Sequence, residues 1–590
     1  MRLLLITLLW TAVSYGQVNH YAISFDNAVH HEAEVEVTFP NLKELTVHVQ
    51  MSRSSPGRYA IHEFAKNVFD FKATNSKGKL LSVKRPDPYS WEITGHDGTI
   101  KITYTLFANR ADGTYSQIDE SHAHLNMPAT FMFMEGYEHR PIEINFEVRQ
   151  DLNWKVATQL KKINDTKYGA PDLQYFFDSP TEIGDYQLRE FMVEGQNIRF
   201  VLHSNDTAED FDTYWDKVKA IVLEQKEVFG ELPTYDYGEY TFLACYAPHV
   251  SGDGMEHRNS TILTDSESLA EGGMKGNIVT VSHEFFHSWN VERIRPADLQ
   301  PFDFTAANMS GSLWFAEGFT SYYTNLILAR AGVISSEAYV EGLNRTFNYV
   351  WNSPARDYFN PIEMSYQAPF VDAATSVDPV NRNNTFISYY SYGSVLGLAL
   401  DLSLRQQGLN LDDYFKAVWN QFGKKEVSYS IQDLENVLAG YAGDAFAKAF
   451  FSQYIYNSKM PDYQNLFTNA GLTIKQDKNK PYLGLDLNPS EGGLSIARAT
   501  SKGTPAYSAG LNKGDLITVI DGEAITTVDA YNELVKKLTV GQTIAVTYKR
   551  FGSEATTNLI VSADPTYTIA TDENAGIKAR KLRKYWLQEK

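Results

Sequence analysis

The stretch VSHEFFHSWNVERIRP, residues 281–296, decides how the middle of this 590-residue chain is built. In a helix, residues four apart sit about 40° apart around the axis, so His283 and His287 project from one face. Two neutral imidazoles at that spacing can hold one Zn²⁺. Glu284 follows the first histidine and falls beside the open side of such an ion. There it is placed to act as general base towards zinc-bound water and to hand the proton to a departing amine. HExxH fixes only three positions and also occurs in unrelated helices, so the reading needs support from its flanks.

Support comes thirty residues beyond His287, in LWFAEGFTSYYTNLILAR, residues 313–330. Glu317 enters an apolar helix there, among Trp314, Phe315, Ala316 and Phe319. An unpaired carboxylate is costly to bury in such surroundings, whereas a metal ligand is compensated by its ion. Two histidines and one glutamate leave a fourth position open, which is the catalytic arrangement, with one Zn²⁺ per chain. Upstream, HVSGDGMEHRNSTILT, residues 249–264, carries Gly252 and Gly254, which let backbone approach a ligand closely. Glu256 follows on an expected edge strand. A carboxylate near the ion can bind a cationic α-amine and so present the first peptide bond for attack.

Outward from this centre the texture changes three times. Over residues 17–204, segments such as AEVEVTF, LTVHVQM, GTIKITYTLF and IEINFEV alternate apolar and polar residues, which predicts an antiparallel β domain. Residues 205–471 are mainly helical, opening at Asp206-Thr207 as a cap and interrupted by the strand-like GEYTFLACYAP. Residues 472–566 return to short strands around one amphipathic helix, DAYNELVKKL. Residues 567–590, ending in GIKARKLRKYWLQEK, are expected to form a basic surface tail or helix. The fold class is therefore multidomain α+β.

At the start, MRLLLITLLWTAVSYG (residues 1–16) has one positive charge at Arg2, an apolar run, and small residues at Ser14 and Gly16. This is the pattern of a removable export signal, which predicts a periplasmic or extracellular protein. The run is too short to span a bilayer, and no later stretch reaches the roughly 18 apolar residues that a membrane helix needs. The formal net charge of −19 argues against nucleic acid or an anionic membrane as partner. Cys245, the single cysteine, excludes an internal disulfide and reads as a buried, inert thiol in TFLACYA.

GMEH, HEFFH and WFAEGF together resemble the GxMEN, HExxH and WxxEGF series of aminopeptidase N-like gluzincins. SPGRY (residues 55–59), HSWNVERIRP (287–296) and YYSYGSVLGLALDL (389–402) are similar to the glycyl aminopeptidase family that carries a PDZ domain. The resemblance spans nearly the whole mature chain. It implies a β-sheet domain leading a thermolysin-like zinc peptidase domain over 205–471, and a preference for small amino-terminal residues such as Gly and Ala. Position by position, it makes His283, His287 and Glu317 the zinc ligands and Glu284 the base. Glu256, with Gly254 and Met255, would hold the amino end of the substrate. In such families a tyrosine three residues before a glycine bonds the developing oxyanion. Tyr390 has that spacing to Gly393, with Tyr389 as the neighbouring alternative; the lysine common in relatives before that glycine is Tyr392 here.

PYLGLDL and TPAYSAGLNKGDLITVIDGEAI resemble PDZ modules. Leu483, Gly484 and Leu485 stand where backbone N–H groups would cradle a chain terminus or a β-strand, although such a domain can equally be architectural. The partners implied are peptides with free amino ends, and a peptide or carboxyl terminus at the PDZ-like groove. Two other functions remain open: a zinc endopeptidase with the same chemistry, and a non-catalytic PDZ-type peptide-binding protein.

Overall fold

The computed structural model describes residues 17–371 and 378–588, and the expected export signal at 1–16 lies outside them. The fold is multidomain α+β. The N-terminal part holds a seven-stranded and two four-stranded sheets. Its central pairing sets EAEVEVTF (Glu32–Phe39) antiparallel to Ile100–Phe107, and Val35, Val37, Ile102 and Tyr104 from these strands are all buried. One pairing departs from the expected antiparallel pattern: Asn19–Ser24 runs parallel to Ile142–Glu147. Alternation identifies a half-buried strand but does not give the direction of its neighbour.

A five-stranded sheet supports the helical part, in the order Gln187–Val193, Gln196–Ser204, Glu239–Tyr246, Ser260–Asp265, Asp253–His257. The first two strands were expected within the N-terminal domain. Gln187–Val193 pairs with Gln196–Ser204, which pairs in turn with Glu239–Tyr246, so both strands join this sheet and the N-terminal sheets end near residue 185 rather than 204. Periodicity again reveals the strand but not which sheet it joins. Helix Ala208–Phe229 then opens on a capping box between Thr207 and Asp210 and closes at Gly230, whose φ of 88° suits glycine. It buries Phe211, Tyr214, Val218, Ile221 and Val222 beneath the sheet.

The C-terminal module has its own core, in which Leu494, Ile517, Ile520, Ile544 and Val546 are buried. Asp515, in the Gly514-Asp515 turn, is held by two 2.7 Å bonds from Arg550. The strands flanking this module do not belong to it. Leu472–Gln476 pairs with Tyr567–Thr571, and this ribbon is fastened to helix Ser336–Trp351 by Asn344 and Asn348, which bond the backbone of Ile569 and Tyr567.

Nor is the basic end a surface tail. Helix Ile577–Leu587 docks on the catalytic core, where Trp586 is fully buried and donates its indole N–H to the Tyr322 hydroxyl at 2.9 Å. One apolar face suffices to dock a helix whose charges lie on its other side. No helix among the described residues is long and apolar enough to cross a membrane.

Candidate active site

Helix Met274–Phe286 delivers His283 and Glu284, and His287 caps it. The Nε2 atoms of His283 and His287 lie 3.2 Å apart. Glu317, at the junction of helices Leu313–Ala316 and Gly318–Arg330, places Oε2 3.5 Å from His283 Nε2 and 3.3 Å from His287 Nε2. The three proposed ligands thus converge, and all are largely buried.

Each is oriented from behind. Thr324 donates its hydroxyl to the Thr320 carbonyl, so its oxygen accepts the N–H of His283 Nδ1 at 3.1 Å. His287 Nδ1 donates to the carbonyl of Asn290. With Nδ1 engaged in this way, both imidazoles turn their Nε2 atoms towards Glu317, the arrangement that supports metal ligands. The Asn290 side chain also donates to the carbonyls of Phe315 and Ala316, tying the HExxH segment to the turn that carries Glu317. Glu317 Oε1 accepts a 2.6 Å bond from Tyr59, which belongs to the SPGRY loop of the N-terminal domain.

Asp253–His257 forms the edge of the catalytic sheet, and from it the Glu256 carboxylate comes within 4.8 Å of the ligating atoms of Glu284 and His287. Gly254 faces Glu284: a Cβ there would lie 2.3 Å from Glu284 Oε1 and 2.6 Å from Thr280. Its smallness thus serves the Glu284 side chain, where the sequence suggested only approach to a ligand. Met255 is buried, with its sulfur against Gly57. Arg58, from the same SPGRY loop, pairs with Asp253 at the head of the strand.

The two tyrosine candidates separate clearly. Tyr389 is buried with its ring 6.3 Å from that of Tyr59, whereas Tyr390 is half-buried with its ring 5.9 Å from His283. Helix Tyr389–Gln406, which carries both, crosses the Glu317 helices at a glycine–glycine contact. A Cβ on Gly393 would lie 1.9 Å from the Trp314 carbonyl oxygen, and one on Gly318 would lie 2.4 Å from Gly393 Cα. Tyr392, where relatives have lysine, turns into the core.

Three buried carboxylates crowd this pocket, and each shifts the proton affinity of the others. Burial pushes Glu256 up to about 7, with His287 opposing and Glu317 adding to the rise. Burial also drives Glu284 well above the usual carboxylate range, again against His287 and with help from Glu256 and Glu317. Burial disfavours the charged form of His287, but Glu317 overrides it and pushes the imidazole up to about 10. Glu317 resists its own burial and stays below the usual range, held by the His287 charge and by both imidazoles. Burial keeps His283 below its ordinary value.

Sequence comparison matches residues 20–185 to the peptidase M61 N-terminal domain, residues 277–396 to M61 glycyl aminopeptidase, and residues 481–561 to a PDZ domain. The chain carries an M61 glycyl aminopeptidase domain. That match supports a peptidase. No curated protein matches the chain by sequence. Among solved structures, an aminopeptidase N family protein from Idiomarina loihiensis shares 23% identity over 97% of this chain and 100% of its own, with a TM-score of 0.84. That likeness establishes the fold. An M1 zinc metallopeptidase from Deinococcus radiodurans (12% identity, 76% of this chain and 95% of its own, TM-score 0.44) is too distant to bear on the chemistry.

Several residues that shape this M61 site escaped the sequence reading of roles. Tyr59 was noted only within a resembling motif, and nothing local links it to a glutamate 258 residues away. Thr324 and Asn290 are ordinary helix and turn residues until the fold brings them behind the imidazoles. At the PDZ module, Gly484 and Leu485 line a crevice of about 320 Å³ whose other wall includes Tyr349, Asn352 and Phe386 of the catalytic part.

Proposed function

We propose that this chain is a zinc-dependent aminopeptidase that cleaves the first peptide bond of peptides bearing small amino-terminal residues. The observation that carries the zinc assignment is the spacing of the three ligand atoms, 3.2, 3.3 and 3.5 Å. An ion about 2.0–2.1 Å from each of its tetrahedral ligands needs them roughly 3.4 Å apart. The donor chemistry agrees: two imidazoles with Nδ1 engaged behind them, and one carboxylate facing both Nε2 atoms. His283, His287 and Glu317 would hold the ion. Bound there, zinc supplies a Lewis acid that makes water nucleophilic at neutral pH.

The protein's own groups account for the remaining roles. Glu284 takes the proton of the attacking water and returns it to the leaving amine. Glu256 receives the substrate's α-ammonium, which limits attack to the first peptide bond. Tyr390 donates to the tetrahedral oxyanion, a bond that strengthens as charge develops. The match to glycyl aminopeptidase supports a preference for a small amino-terminal residue. The PDZ loop is positioned to contribute to peptide capture at the crevice beside it.

Glu284→Gln is expected to retain zinc and lose about 10²–10⁴-fold in kcat. Full activity in that variant would remove the base assignment. Glu256→Gln is expected to lose activity on Gly- and Ala-anilides while leaving hydrolysis of amino-acetylated peptides, if measurable, unchanged. Were the wild-type enzyme to prefer the acetylated peptides, the endopeptidase reading would replace this one.

A further inference from the structure

A second group of imidazoles and carboxylates lies where the N-terminal domain meets the catalytic sheet. His122 is fully buried, and its Nδ1 lies 2.7 Å from Oε1 of Glu182, itself only 1% exposed. With Nδ1 engaged there, Nε2 is the ring nitrogen left over, and this atom is buried without a hydrogen-bond partner. It faces Asp119 Oδ2 at 3.7 Å, and His249 Nε2 lies 3.7 Å from the same oxygen. All three ligating atoms fall within 4.8 Å of one another.

We propose that Asp119, His122 and His249 form a second divalent-cation site, of the class that binds zinc. The backing carboxylate fits this role: a metal-ligating histidine commonly donates its other N–H to a carboxylate, which fixes the ring and raises its basicity. Asp119 is also set in place, because Gln117 donates to Oδ2 at 2.9 Å and Ser121 donates to Oδ1 through both its backbone and its hydroxyl. The rings of His122 and His249 meet at 78°, so their lone pairs can converge.

Two nearby groups do not qualify as ligands. His203 stacks on His122 at 4.1 Å and 6°, which leaves the two sets of lone pairs parallel. The Cys245 sulfur faces His122 Nδ1, which Glu182 already occupies.

The two separations to Asp119 exceed the roughly 3.4 Å of tetrahedral zinc by a few tenths of an ångström, and the two histidines lie within 4.8 Å of each other. The His249 side chain, 51% exposed, can swing to close that gap and leaves a path for the ion to enter. An ion held here would clamp the turn after Glu239–Tyr246 onto the N-terminal domain. That turn leads directly into Asp253–His257, the strand bearing Glu256.

Metal counting on the full chain tests the site. After equilibration with Zn²⁺ and desalting, we expect two zinc ions per wild-type chain, one in His249→Ala and one in Glu317→Ala. Zn²⁺ should raise the melting temperature of Glu317→Ala but not that of Glu317→Ala/His249→Ala. One zinc in the wild type, or two in His249→Ala, would overturn the proposal and leave His122 as a buried imidazolium paired with Asp119 and Glu182. His249 is half-exposed, so its truncation does not threaten folding.

Discussion

The two imidazole–carboxylate clusters of this chain are assembled by different means. In the HExxH centre two of the ligands come from a single helical turn, and the third enters on helices whose crossing is set by glycine against glycine. Ligand separations there of 3.2–3.5 Å already suit an ion. At the domain joint the members come from an N-terminal hairpin and from a turn of the catalytic sheet, and the separations to Asp119 are 3.7 Å. The lesson concerns preorganisation. Ligands locked by packing hold their geometry before metal arrives, whereas ligands spanning two domains depend on a loop to finish it.

The largest expected effect comes from removing the locked carboxylate. Glu317→Ala should lose zinc at the HExxH centre and about 10⁴-fold or more in kcat/KM. Metal analysis and turnover of an alanine anilide check this together, and retention of both would make the two clusters equivalent in reverse. Next comes the helix crossing. Gly393→Ala forces a methyl group into the Trp314 carbonyl, so the helices must part and carry Tyr390 away from Glu317. The expected loss is on the order of 10²-fold in kcat, with about 1–3 kcal/mol of stability from overpacking. Wild-type turnover in a stably folded Gly393→Ala would mean that the crossing does not set the site. The smallest effect should follow Tyr59→Phe, which removes one bond to Glu317 from the neighbouring domain. Competition with a chelator should show zinc affinity lower by about 10-fold, at the weak end for a supporting bond.

What the sequence revealed divides along the same line. His283 and His287 share a helix, so their convergence follows from residue spacing alone. Glu317 could be inferred because a carboxylate in WFAEGF demands an explanation. Tyr59, Thr324 and Asn290 demand none: each is an ordinary residue in its own segment, and only tertiary packing gives it a task. Asp119, His122 and His249 are scattered through unrelated local patterns for the same reason. Strands were recognisable from alternation, yet residues 187–204 were grouped with the wrong sheet because period 2 carries no information about partners. The terminal basic segment forms the helix that was one of its two expected states, but its charge hid the apolar residues Trp586 and Leu587 that bury it.

The ribbon of Leu472–Gln476 and Tyr567–Thr571 has a practical corollary for protein engineering. Its strands are neighbours in register, with Gln476 opposite Tyr567, so the intervening module leaves and re-enters the catalytic body through adjacent doorways. Paired strands in a sheet bring such points to about 5 Å, a gap that a tight turn of two to four residues closes. Residues 477–566 could therefore be excised as a cassette. Trimming from the carboxyl end would instead pull a tryptophan out of the enzyme's interior.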